Sequence, residues 1–142
     1  MIPLLDHNLL LTEQWPRLRQ GLLEVLRHAN GDDDPAKVLR DILAGELIVW
    51  AVNEALDGFI TTRVQLVNTC PPQRHLIVDH AWCSREVQPL TFTGEMHRFL
   101  EDYAVRLGCC RIKTFTILDM AGWMAEWGFS PGYIEYWKEV KP

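Results

Sequence analysis

The chain has 142 residues and a formal net charge of −5, from 14 Lys and Arg against 19 Asp and Glu. Hydrophobic residues make up 48% and charged residues 23%, which excludes a disordered or collagen-like polymer and predicts one domain, residues 1–142. The acidic balance argues against nucleic acid and anionic membrane as partners, no apolar run approaches the ~20 residues of a membrane span, and the first residues lack the pattern of a signal peptide, so a cytoplasmic location is expected.

In chain order, residues 2–5 suit a short strand. Trp15, Leu18, Leu22, Val25, Leu26 and Ala29 recur at helical spacing. Pro16 fits only a first turn, so this helix is expected to begin near Glu13. Asp32, Asp33 and Asp34 form a charge run beside Gly31 and Pro35. With Asp34 as N-cap and Pro35 at the first helical position, a second helix is predicted, stopping at Gly45. The run lacks the alternating ligands and distal carboxylate of a calcium loop.

The period then changes to two. Residues 46–52, 59–67 and 75–82 read as three strands with short connections, an antiparallel meander. Turns fall at Asp57-Gly58 and Pro71-Pro72. Met96, Phe99, Leu100, Tyr103, Ala104 and Leu107 mark a long amphipathic helix ended by Gly108. Residues 109–118 alternate as a strand, 120–127 suit a short helix, and 129–140 suit one or two aromatic-rich strands. The summed order is β-α-α-β-β-β-α-β-α-β. Its strand–helix–strand unit predicts a parallel crossover inside an otherwise antiparallel, mixed sheet with helices on both faces, an α/β fold.

This order, together with Leu56-Asp57-Gly58-Phe59-Ile60, Tyr103-Ala104 followed by Leu107-Gly108-Cys109, and Gly128-Phe129, resembles the GCN5-related N-acetyltransferase (GNAT) superfamily. The resemblance spans nearly the whole chain and implies acetyl-CoA as cosubstrate and an amine acceptor, on a small molecule or a protein. The family's acyl-CoA signature, [Arg or Gln]-x-x-Gly-x-[Gly or Ala], falls on Gln88-Pro89-Leu90-Thr91-Phe92-Thr93, with Gly94 one position late. The resemblance thus places coenzyme binding on Gln88, Thr91, Phe92, Thr93 and Gly94. Thr91 and Thr93 replace small residues that let a backbone approach pyrophosphate closely. Their hydroxyls offer hydrogen bonds to phosphate, while Thr93 alternatively serves as a helix cap.

Direct acyl transfer to an amine needs a base for the ammonium proton and commonly an acid for the thiolate. Asp79 and His80 on the central strand are the candidate bases. Period-two alternation puts them on opposite faces, so one at most faces the cleft. Glu54 and Glu86 are loop alternatives. The position of the family's acidic tyrosine falls on Met124, and Tyr133 and Tyr136 lie beyond it. His75, His80 and Cys83 lack zinc-ligand spacing, so no metal is expected. The four cysteines, Cys70, Cys83, Cys109 and Cys110, read as small buried hydrophobes rather than disulfides, as expected in a cytosolic chain. Trp123, Trp127 and Trp137, with Tyr133 and Tyr136, suit either core packing or an interface for a second copy or another protein. The eroded signature leaves two readings: an acetyl-CoA-dependent N-acyltransferase, or a non-catalytic binding or assembly module. Small GNAT-like proteins of the second kind occur among bacteriophage and prophage products, virion components included, and this chain looks like one of those.

Overall fold

The structure is a computed structural model that describes residues 1–26, 34–87 and 89–114, with residues 89, 90, 91 and 93 described by backbone alone. The expected helix at 120–127, the strands at 129–140, Met124 and the C-terminal aromatics lie outside the described residues. So do Ala29, Asp32 and Asp33.

Asp6 initiates the first helical segment. Its carboxylate accepts the N–H groups of Asn8 and Leu9 at 3.0 and 3.1 Å, an N-cap. Helix α1 (His7–Leu9) passes through a π turn (Leu10–Gln14) into α2 (Trp15–Leu26). Pro16 therefore lies well inside a continuous helical stretch, not in its first turn. The reason is the wide turn just before it, in which the Trp15 N–H reaches back to Leu10 O. Pro16 has no N–H to continue a regular ladder and crowds the carbonyl four residues back, and widening relieves both. Helix α3 (Pro35–Leu43) starts as expected, with Asp34 Oδ1 accepting the Lys37 N–H at 2.9 Å. It ends at Gly45, whose φ of 77° only glycine adopts freely.

Five strands form one sheet in the order β1 (Ile2–Pro3), β2 (Ile48–Ala51), β3 (Gly58–Val67), β4 (Gln73–Cys83), β5 (Arg111–Thr114). All neighbours are antiparallel except β4 and β5, which run parallel and are joined by α4 (Pro89–Arg106). The predicted crossover is present. No helix among the described residues is long and apolar enough to cross a membrane.

The two faces of the sheet carry separate cores. On one, Leu18 and Leu22 of α2 and Val38 and Ile42 of α3 pack on Val49, Phe59 and Trp82. On the other, Phe92, Leu100 and Ala104 of α4 pack on Ile60, Leu76 and Val78. The stripe from Met96 to Leu107 is the face that α4 buries. Trp50 joins that layer, with its ring 4.6 Å from Phe99 and 4.8 Å from Tyr103, while its Nε1–H donates to Thr62 Oγ1 at 2.9 Å.

The helix α4 begins at Pro89, directly after Gln88, and takes Thr91, Phe92, Thr93 and Gly94 of the signature segment into its first two turns. Proline at a first helical position loses nothing, because that N–H has no intrahelical acceptor. Thr93, four residues in, is therefore not the cap.

Candidate active site

The centre of the sheet is irregular in one place. The register of β3 against β4 pairs Thr61 with His80 and Thr62 with Val78, skipping Asp79. This is a β-bulge on β4. Along β3 the alternation is regular, with Phe59 in the α2 core and Ile60 in the α4 core. Thr61 and Arg63 therefore share the α2 face. Their partners do too: His80 Nδ1 lies 2.7 Å from Thr61 Oγ1, and Arg63 Nε donates to Asp79 Oδ2 at 2.7 Å. Asp79 and His80 thus project to the same face, and the opposite-face expectation is overturned by the extra residue in the strand.

Their environments differ. His80 is 6% exposed and tied to a fully buried threonine. The Asp79 side chain is 21% exposed and holds a half-exposed arginine. One step toward the C-terminal end of β4, Trp82 continues the same face. Its Nε1–H donates to Glu24 Oε2 of α2 at 2.6 Å, and the Arg17 guanidinium sits 5.1 Å over its ring. Arg17 also donates from Nε to Leu56 O at 3.3 Å and pairs with Asp57 at 3.5 Å. The Ser84 N–H donates to Asp57 O at 2.7 Å. Through these bonds α2 and the β2–β3 turn brace the turn that leads from β4 to α4. Leu56, near the end of the β2–β3 turn, has a φ of 55°, strain that the Arg17 hydrogen bond helps to hold.

At the end of the β4–α4 turn the N-terminus of α4 presents the first-turn amides of Leu90, Thr91 and Phe92, which have no acceptor within a helix. The Phe92 ring is 4% exposed and packs against Gly58, where an added Cβ would lie 3.0 Å from it. Phe92 anchors the helix start to the sheet, so its backbone alone is available to a ligand. Gly94 faces open space: a Cβ there would meet nothing within 4 Å. Gln88 lies outside the described residues. These residues fit a pyrophosphate through main-chain N–H groups at the positive end of an 18-residue helix.

The β4–β5 pairing runs from His75 with Arg111 to Val78 with Thr114, the last described residue. Cys83, at the end of β4, has its thiol pKa raised by burial, which makes it a poor nucleophile. Glu54 belongs to the β2–β3 turn. Glu86, in the β4–α4 turn, accepts a hydrogen bond from the Ser84 hydroxyl at 3.3 Å. Among the described residues no three His, Cys, Asp or Glu side chains could hold a metal ion. Arg63 and Thr61, which orient the two candidate bases, are not singled out by sequence reasoning. Their signal is an arginine in mid-strand, one strand away from an aspartate in mid-strand.

No family model and no curated protein matches the sequence. Solved structures do match the fold. One is a probable acetyltransferase, with a TM-score of 0.69 at 13% identity over 92% of this chain and 95% of that one. The chain has the GNAT acetyltransferase fold. An aminoglycoside acetyltransferase from an uncultured soil metagenomic sample, solved with sisomicin, superposes with a TM-score of 0.68 at 11% identity. That match covers 98% of this chain and 94% of the other. Glucosamine-6-phosphate N-acetyltransferase from Arabidopsis thaliana gives 0.62 at 12% identity, over 89% and 93%. At these identities the likeness is one of fold, and the GNAT architecture accounts for the strand order, the parallel crossover and the position of α4.

Proposed function

We propose that this GNAT-fold chain is an N-acyltransferase that moves an acetyl group from acetyl-CoA to an amine. The observation that carries the reading is the bulge at Asp79. It gathers two proton-accepting side chains on one face at the centre of the sheet, a few residues before a helix N-terminus suited to phosphate. Acetyl-CoA supplies an activated thioester when bound. The first-turn amides of Leu90, Thr91 and Phe92 hold its phosphates, with room over Gly94. Asp79 and His80 take the proton of the acceptor ammonium. In the tautomer whose Nδ1–H donates to Thr61 Oγ1, the basic nitrogen of His80 is Nε2. Arg63 holds the Asp79 carboxylate and fixes its direction.

The test is calorimetric titration of the purified chain with acetyl-CoA. Saturable binding in the micromolar range, lost in Thr91→Glu, supports the reading. Absence of heat and of a thermal shift at millimolar ligand overturns it in favour of a non-catalytic binding or assembly module.

A further inference from the structure

We infer that the chain pairs with a second copy of itself through the free edge of β3, residues 63–67, the two β3 strands running antiparallel about a two-fold axis at Gln65. This is independent of the acyl-transfer reading, because the edge lies at the end of β3 away from Gly58 and the Phe92 anchor of α4.

β2 covers β3 only from Phe59 to Thr62. From there to Val67 the strand has β4 on one side and, among the described residues, nothing on the other. Residues of an antiparallel strand turn their N–H and C=O groups alternately to its two neighbours. The Gly58 C=O accepts the Val52 N–H at 2.9 Å, on the β2 side, so Ile60, Thr62, Val64 and Leu66 turn theirs the same way. Arg74, opposite Leu66, agrees: its C=O accepts the Cys110 N–H at 3.0 Å, on the side away from β3. The bulge sits on β4 and leaves this alternation along β3 intact. Val64 and Leu66 thus present unpaired main-chain groups at the edge. Their side chains are 43% and 70% exposed, on the α4 face with Ile60. Sheet edges are commonly blunted by proline, lysine or a bulge; the run Val64-Gln65-Leu66-Val67 has none of these.

A two-fold interface between identical chains must be its own complement, and this strip is. With the axis at Gln65, Val64 stands opposite the partner's Leu66 and Leu66 opposite the partner's Val64. Each exposed apolar side chain then meets another, and each free N–H meets a C=O. Arg63, already held by Asp79, meets Val67, so no like charges face each other. An axis at Val64 would lay the partner's Leu66 against Thr62, whose place is taken by Ile48. An axis at Leu66 would set Val64 against Asn68, outside the strand. The incoming strand has room: in line with β2, a notch of about 390 Å³ is lined by Gly45, Glu46 and Ile48 and by Arg63 and Val64. Beyond Val67 the chain turns toward β4, away from this edge, so the partner's loop clears β2. The strip is narrower than the roughly 1,200 Å² at which stable interfaces begin, so the dissociation constant is expected between about 10 μM and 1 mM.

The experiment is sedimentation velocity on the full chain from about 10 μM to about 1 mM, joined to site-directed crosslinking. A monomer–dimer equilibrium is expected. Leu66→Lys should weaken it about tenfold or more. Leu66→Pro should do the same while circular dichroism stays native, because the N–H it removes is an edge donor that β4 does not use. Leu66→Ile should keep the dimer. If the proline variant does not fold, Leu66→Lys, at this exposed position, still decides. In a Cys70→Ser, Cys110→Ser background with oxidised glutathione, Gln65→Cys should give a disulfide-linked dimer, since facing residues of a non-hydrogen-bonded pair bring their Cα atoms to about 4.5 Å. Val64→Cys and Leu66→Cys, which do not face themselves across the axis, should crosslink about tenfold more slowly or less. A strict monomer at about 1 mM overturns the inference, including where the edge instead takes up an extended segment of another protein. So does a dimer indifferent to both Leu66→Lys and Leu66→Pro, or crosslinking through position 64 or 66 as fast as through 65.

Discussion

Asp79 and His80 are consecutive in the chain yet project to one side of the sheet, because Thr61 pairs with His80 while Thr62 already pairs with Val78. Two neighbouring side chains in a regular strand cannot do this. The bulge thus turns one base candidate into a pair, each with its own holder on β3: Thr61 for the imidazole and Arg63 for the carboxylate.

If the pair acts on the acceptor proton, His80→Gln should lower kcat by about 10²- to 10⁴-fold, the usual share of a general base. Acetyl-CoA affinity should stay within about twofold, because the coenzyme contacts lie on α4. Thr61→Val, which keeps the shape and removes the hydroxyl, should lower kcat less and destabilise the fold by about 1–3 kcal/mol through loss of the buried Thr61–His80 hydrogen bond. Steady-state kinetics and urea melts check both.

At Gly21, α2 lies close against side chains of the sheet. A Cβ built there would lie 2.6 Å from the Phe59 ring and 2.8 Å from the Trp82 ring. Gly21→Ala should therefore destabilise the protein by about 1–3 kcal/mol despite alanine's better helix propensity. Chemical denaturation measures this. The indole fluorescence should also shift, because Trp82 must move away from Glu24.

His75 should make stability depend on pH in one direction. In the folded state burial, first, and then the charges of Lys113 and Arg111 hold its pKa below the ordinary histidine value. Between the folded and unfolded values the unfolded chain binds more protons, so stability rises with pH there. Stability should be full above about pH 6.5, fall as the pH drops below it, and level off once the folded histidine is itself protonated. His75→Gln should flatten that part of the profile in thermal melts taken across it.

Trp50 couples the sheet to α4 by two separable means. Trp50→Phe keeps an aromatic ring against Phe99 and Tyr103 but leaves the buried Thr62 hydroxyl without its indole donor. The expected loss is about 1–3 kcal/mol. Trp50→Ala removes the packing as well and should lose about 3–5 kcal/mol. Comparing the two melts divides the interaction into its polar and apolar parts.

Much of this architecture is legible in the sequence because it follows from periodicity and local chemistry. The spacing from Met96 to Leu107 marks the buried stripe of α4, Asp34-Pro35 marks a helix start, and the alternation in β3 and β4 marks the meander. The parallel crossover follows from element order. Two features escape, and for one reason. The wide turn before Pro16 and the bulge at Asp79 each place one residue more than the regular period allows. A pattern argument assumes an unbroken period and so errs at such points. The site inherits the error, since the face assigned to Asp79 and His80 depended on it.

The π turn has a bearing on chain length. Leu10, Leu18 and Leu22 are all fully buried. At about 100° per residue, the eight steps from Leu10 to Leu18 would leave the two roughly 80° apart around a uniform spiral. Taking one residue up in the wide turn leaves seven effective steps and brings them to within about 20°. That loop of backbone behaves as a one-residue insertion absorbed in place. A shorter homologue lacking it could keep all three leucines aligned, whereas the same excision within Trp15–Leu26 would rotate Leu10 out of line with the leucines beyond it.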